Sequence, residues 1–291
     1  MTQIVISRKN IVTPHRIERG QGLWPSMAIQ EVQQYLPAAI TDVTGRISSV
    51  SAPAKQGYCS HVLFLDSERG KFALKMAQPG YRGDELEAEF VALRMLEGKG
   101  LLIPQAFACT KDERGHYLLS SYCEGTPLGT LLTSVEDEEL RLHMVGQMAT
   151  VLAELHSISV EGAAWGECLE SQLCFAREHL EYSNIDPEEF VGIDPHEVLR
   201  KLKDNPPSAG KVCLIHGDYR PKNMLWKENS ISCVLDWAFC DMGDPYYDLA
   251  IIWYYLKTQQ EKEHFMRCYG LERLDEERLG YFELLAKFVN V

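Results

Sequence analysis

The chain has no Cys-x-x-Cys pair, no His-Glu-x-x-His run, and no apolar stretch near the ~20 residues that span a bilayer. These absences argue against a zinc hydrolase, a zinc ribbon and a helical membrane protein. Nine cysteines, an odd number, point to reduced core residues rather than a disulfide framework. The opening residues, MTQIVISRKNIVTPHR, lack the apolar core of a signal peptide, so a cytoplasmic protein is expected. No internal repeat or low-complexity tract is visible. Positive charge is scarce: 29 Lys and Arg face 42 Asp and Glu, a net charge of −13. That balance argues against nucleic acid and anionic membranes as partners.

What remains is ordinary for a globular protein of one or two domains, with 291 residues, 45% hydrophobic and 24% charged. The acidity is uneven. Residues 124–205 hold 17 Asp and Glu against 5 Lys and Arg, a balance of −12. That segment is either a solvated acidic helical face or a wall that draws in a cationic substrate.

Ser26 is placed to cap a helix through about Tyr35, ended by Pro37. From Ile47 to Lys75 the pattern is strand-like, with 61–65 and 71–75 flanking a turn at 66–70. Residues 84–97 form an amphipathic helix with Phe90, Leu93, Leu96 and Leu86 on one face. His116 to Ser121 is another strand, and from Leu131 the chain is mostly helical, including a long run over 140–156. Strands first and helices later predict an α+β protein: a small β-sheet lobe with one main helix (1–120) and a larger helical lobe (121–291).

The densest chemistry lies in residues 214–250. His216, Gly217 and Asp218 leave a short apolar strand, Asn223 follows five residues after the Asp, and Asp236 comes later. Residues 223–226 and 231–235 read as two strands around a polar turn at 227–230. A turn centred between Asn229 and Ser230 places Asn223 opposite Asp236, with Cβ atoms roughly 5 Å apart. An amide oxygen and a carboxylate at that separation can hold one hard cation such as Mg²⁺. The loop supplies one candidate base, Asp218, and the hairpin two candidate metal ligands, Asn223 and Asp236. His216 is expected to be a buried brace for the loop. Phosphoryl transfer needs little further side-chain chemistry, because it depends on positioning and charge neutralisation.

This stretch resembles the catalytic segment of the aminoglycoside phosphotransferases, relatives of the protein kinases. Their pattern is His-Gly-Asp, an Asn five residues after the Asp, an Asp followed by Trp, and Gly-Asp-Pro-x-x-Asp-Leu-Ala. The last element stands here as Gly243 to Ala250. The resemblance implies a two-lobed protein-kinase-like fold and an ATP- or GTP-dependent, Mg²⁺-requiring transfer to a small-molecule hydroxyl. The acceptor is an aminoglycoside or other antibiotic, or one of the choline, methylthioribose, homoserine or fructosamine type. A non-catalytic nucleotide-binding module is disfavoured, since base and metal ligands are all retained. A protein kinase is disfavoured too, because only six residues separate Asp236 from Gly243, too few for a peptide-docking activation loop.

The resemblance also implies roles upstream. Phe72 to Lys75 is similar to the kinase strand whose lysine holds the α and β phosphates. Glu89 is its expected partner on the next helix, with Glu85 and Glu87 as rivals. Gly57, and Ser60 beside it, occupy a turn that can offer backbone N–H groups to phosphates, or that is an ordinary hairpin turn. Ser121 and Cys123 stand where the family's hinge meets the adenine edge. Arg220, two places after Asp218, either steadies charge on the moving phosphate or is a surface arginine. Asp244 and Asp248 are expected to brace the loops. Trp165, Gly166 and Tyr182 are candidate acceptor-wall residues.

Overall fold

The computed structural model describes residues 32, 34–54, 56, 60–78, 83–158, 162–181 and 185–288. They divide into two compact units at Glu124 and Gly125. Most of the helix expected over 26–35 lies outside the described residues.

The first unit contains α1 (Ala38–Thr44), β1 (Ile47–Ser51), β2 (His61–Ser67), β3 (Gly70–Ala77), α2 (Gly83–Leu96), β4 (Ala106–Asp112) and β5 (Gly115–Ser121). The strands form one antiparallel sheet in the order β1-β2-β3-β5-β4. Alternation along β3 decides its two faces. Phe72, Leu74 and Met76 are buried in a core with Ile40, Leu65, Tyr117 and Leu119. Each such side chain contributes about 1.5–3 kcal/mol by leaving water. Lys75 and Ala77 take the other face, where Ala77 and Leu118 pack with Leu86 of α2. β4 was not foreseen: it is an edge strand interrupted by polar residues, and only pairing with β5 reveals it.

The second unit runs through β6 (Thr126–Pro127), α3 (Leu128–Ser134), α4 (Glu138–Ser157), α5 (Trp165–Glu181), α6 (Pro195–Asp204), β7 (Cys213–Ile215), β8 (Met224–Lys227), β9 (Ser230–Val234), β10 (Asp241–Gly243), α7 (Tyr246–Trp253), α8 (Gln259–Tyr269) and α9 (Glu276–Ala286). Asp137 caps α4, accepting from the N–H groups of Glu139 and Leu140 at 2.9 and 3.1 Å. Among the described residues, no helix is long and apolar enough to cross a membrane.

Helices α4 and α8 are joined by a buried ion pair. Arg141 meets the Glu261 carboxylate through Nε at 2.6 Å and Nη2 at 3.3 Å. Burial pushes Glu261 up, but Arg141 and the Lys257 and Thr258 N–H groups outweigh it and hold the carboxyl below its ordinary value. A depressed carboxylate stabilises the fold above its unfolded pKa, and that stabilisation is lost as pH falls through the folded pKa. Glu261→Gln is therefore expected to cost roughly 3 kcal/mol near neutral pH, because Arg141 is left without its counter-charge. The deficit should shrink below about pH 4 in pH-dependent urea melts. A deficit equal at acid and neutral pH contradicts this account.

Candidate active site

In the first unit, period two along β3 and period 3.6 along α2 meet at one ion pair. Glu89 shares the α2 face with Leu86, Leu93 and Leu96, all buried, and that face lies against the Lys75 side of the sheet. Lys75 Nζ donates to both Glu89 oxygens at 2.7 Å. Glu89 is 3% exposed. Of the rivals, Glu87 turns outward to Lys111 at 3.0 Å, whereas Glu85 is buried. The pair is worth more as geometry than as energy, since desolvation offsets much of the attraction. It fixes an ammonium at a known place on a rigid sheet.

In the second unit, β7 delivers the chain into the His216-Gly217-Asp218 loop. Asp248, fully buried in the first turn of α7, accepts the His216 and Gly217 N–H groups at 2.6 and 2.8 Å. His156 of α4 donates to the same carboxylate through Nε2 at 3.1 Å, and its Nδ1 accepts from the Tyr269 hydroxyl at 2.7 Å. Gly217 has φ of 81°, and a Cβ there would lie 2.2 Å from the Phe239 carbonyl oxygen. Both features require glycine. His216 is fully buried: Nδ1 accepts the Asp218 N–H at 3.1 Å, so the proton sits on Nε2, which donates to the Leu235 carbonyl at 3.0 Å. It braces the loop, as expected, and its nitrogens are committed to that task. Asp244 is a brace as well, accepting from Trp165 Nε1 at 2.7 Å and Arg278 Nη1 at 2.9 Å. The Trp165 indole N–H is thus committed to the Asp244 carboxylate.

The Asp218 carboxylate is engaged on both oxygens. Asn223 Nδ2 donates to Oδ2 at 2.8 Å and to the Asp218 carbonyl at 2.9 Å. Lys222 Nζ lies 3.7 Å from Oδ2, and the Arg220 guanidinium sits against Oδ1 as a charge pair whose Nε–H is not aimed at an acceptor. Arg220 is thus not a surface arginine, since its side chain is only 14% exposed.

The hairpin forms, but with a different register. Its turn is the two-residue Glu228-Asn229, with φ of 51° and 64°, the signature of a type I′ turn. Lys227 pairs with Ser230 and Trp226 with Ile231, and then a bulge at Ser232 shifts the ladder so that Leu225 meets Cys233. Leu235, not Asp236, comes opposite Asn223, and its N–H donates to the Asn223 carbonyl at 2.7 Å. Asp236 follows directly, in the left-handed conformation at φ 70°, ψ 61°. A one-residue shift alone would turn Asp236 to the opposite face. The left-handed residue re-aims the chain at that point.

The donors suit magnesium. Asn223 spends its amide N–H groups on Asp218, which turns its oxygen away from that carboxylate. An amide oxygen and a carboxylate are hard donors of the kind Mg²⁺ takes, the rest of its shell being water and phosphate oxygens. Among the described residues, no group of three His, Cys, Asp or Glu gathers as a zinc or calcium cage would require.

Of the other expected residues, Gly57 and Tyr182 lie outside the described residues. Ser60 is half-buried just before β2. The Ser121 N–H donates to Gln105 O at 2.8 Å. Cys123 is half-buried. The sequence reading missed His156, Tyr269 and Lys222. The first two are single polar residues inside helices, with no local signal of their role, and Lys222 was passed over beside its more suggestive neighbours.

A family model described as the phosphotransferase enzyme family (APH) matches residues 52–280. An aminoglycoside 3'-phosphotransferase of Niallia circulans is 26% identical over 242 residues, covering 80% of this chain and 90% of the relative. One of Streptomyces fradiae is 24% identical over 217 residues, 70% and 80% of the two chains. Among solved structures, an aminoglycoside-3'-phosphotransferase of type VIII superposes with a TM-score of 0.70 at 22% identity, over 86% of this chain and 97% of that one. The α+β, protein-kinase-like fold is shared with these proteins.

Proposed function

Since the chain belongs to the APH phosphotransferase enzyme family, we propose that it moves the γ-phosphoryl group of ATP or GTP to a hydroxyl of a small, cationic acceptor of the aminoglycoside type. The observation that carries this reading is the loop in which Asn223 holds Asp218 while Asp248 holds the loop backbone. The acceptor oxygen forms the new P–O bond, the β–γ bridging P–O bond breaks with its electron pair leaving on the nucleoside diphosphate, and Asp218 takes the hydroxyl proton. Asn223 and Asp236 would hold Mg²⁺, which would supply neutralisation of phosphate charge. Lys75, fixed by Glu89, pairs with nucleotide phosphates, and Gly57 and Ser60 offer backbone N–H groups to them. Ser121 and Cys123 meet the adenine edge. Arg220 steadies charge on the transferring group.

Two observations favour a cationic acceptor: the −12 balance of residues 124–205, and relatives that are aminoglycoside 3'-phosphotransferases. The test is Mg²⁺-dependent transfer from ATP and GTP to aminoglycosides, other hydroxylated antibiotics, sugars and amino alcohols. Turnover is expected on a polyamine, with KM rising as salt screens the carboxylates. Turnover confined to a neutral sugar moves the protein among the metabolic kinases. Tight nucleotide binding without any acceptor-dependent turnover supports the non-catalytic module.

A further inference from the structure

The carboxylate that holds the loop depends on a ring that can carry its proton on either nitrogen. Asp248 is fully buried, so hydrogen bonds rather than solvent must hold its charge. Its Oδ2 accepts from the His216 N–H and from His156 Nε2, and its Oδ1 accepts from the Gly217 N–H. A neutral imidazole has two tautomers, and only the one with its proton on Nε2 donates to that oxygen. The other turns a lone pair on the carboxylate. What sits at Nδ1 therefore decides whether Asp248 keeps this donor.

The group at Nδ1 is the Tyr269 hydroxyl, 2.7 Å away. Burial raises this phenol above its ordinary value, so it keeps its proton and can donate it. The end of α8 sets its direction. Gly270 follows in the left-handed conformation at φ 86°, and the Gly270 and Leu271 N–H groups close on the Met266 carbonyl at 3.0 and 2.9 Å. The Tyr269 ring stacks on Phe265 at 6.2 Å and meets the His156 ring edge-on at 5.8 Å. Lys211 Nζ donates to the His156 carbonyl at 3.1 Å and steadies the last turn of α4.

We propose that Tyr269 is a positioning residue of the transfer site: by donating to His156 Nδ1 it selects the tautomer that donates to Asp248, and so fixes the backbone of the loop that carries Asp218. The inference rests on the reading of Asp218 as the group that takes the acceptor's proton. Tyr269 acts through two intermediaries, His156 and Asp248. Its effect therefore falls on the placement of Asp218 rather than on nucleotide binding.

The experiment starts from Tyr269→Phe, which keeps the ring and removes the donor. It is expected to lower kcat by about 5–30-fold with nucleotide KM within about twofold, as for a misplaced catalytic group. In a His156→Gln background, with no ring left to tautomerise, the same change should add less than about twofold. An unchanged kcat in Tyr269→Phe, or losses that add in the double variant, overturn the proposal. Two readouts on the free protein need no acceptor. Long-range ¹H–¹⁵N spectra, with His156 assigned by its absence in His156→Gln, should show the parent ring protonated on Nε2 alone, and Tyr269→Phe should lose that single state. Exchange of the His216 and Gly217 amides should quicken about tenfold in Tyr269→Phe. A parent ring protonated on Nδ1 or on both nitrogens overturns the clamp, and so does unmoved exchange at the two amides. These arms decide even where the acceptor screen finds no turnover and the catalytic reading itself fails.

Discussion

Asp236→Asn abolishes acceptor-dependent phosphate transfer, by about 10³-fold or more, while the protein still melts within a few degrees of the parent. The expected loss follows from removing the charged one of the two ligands proposed for Mg²⁺; neutralising transferring phosphates contributes several kcal/mol, and each ~1.36 kcal/mol is tenfold in rate. Asparagine is the informative replacement because of the backbone. At φ 70°, ψ 61° most side chains are strained, but asparagine visits the left-handed region readily, so charge is lost with little conformational cost. Alanine confounds the two effects. Kinetics over a Mg²⁺ series and a thermal melt separate them. Undiminished turnover at saturating Mg²⁺ removes Asp236 from the metal site, and a large drop in Tm assigns it a structural role instead.

Asp218→Asn lowers kcat by ~10²–10⁴, the usual loss for a general base, with nucleotide affinity retained. The local packing makes this a stringent comparison. Asn223 and the loop backbone keep the substituted side chain in place, since the main-chain carbonyl that accepts from Asn223 is unchanged. The substitution also leaves Arg220 and Lys222 without the carboxylate between them. A modest loss of stability is expected alongside the kinetic one, smaller in salt because Lys222 is half-exposed. Single-turnover measurements with preformed nucleotide complex isolate the chemical step. An intact single-turnover rate removes Asp218 from the proton-accepting role.

The parts of the site legible in the sequence were those in which chemistry and local periodicity coincide. Lys75 stands in an apolar strand, which runs two residues further than expected to Ala77, and Glu89 shares a helix face with three leucines, so each was readable within its own element. Glu89 was expected ahead of Glu85 and Glu87, and the packing of α2 on the sheet, where ~100° of helix phase separates successive residues, is the physical reason that it meets Lys75. The hairpin of β8 and β9 was legible as a hairpin, but its register was not. Glu228-Asn229 lacks the glycine that marks a type I′ turn, and the bulge at Ser232 leaves no trace in the local pattern. One residue of register is enough to exchange Asp236 for Leu235 opposite Asn223. Strand β4 escaped because an edge strand with polar interruptions lacks clean alternation.

The sequence by itself determined the chemistry: which residue types stand at which spacing along residues 216–248, and hence a phosphotransferase rather than a hydrolase or a nucleic-acid binder. Those are properties of covalent order, and short-range periodicity preserves them. The tertiary structure alone decided which polar groups touch. Only packing of α4, α7 and α8 behind the loop brings His156 to Asp248 and Tyr269 to His156. Such contacts join residues far apart in the chain, and their geometry depends on side-chain volumes across several elements at once, which no local pattern encodes.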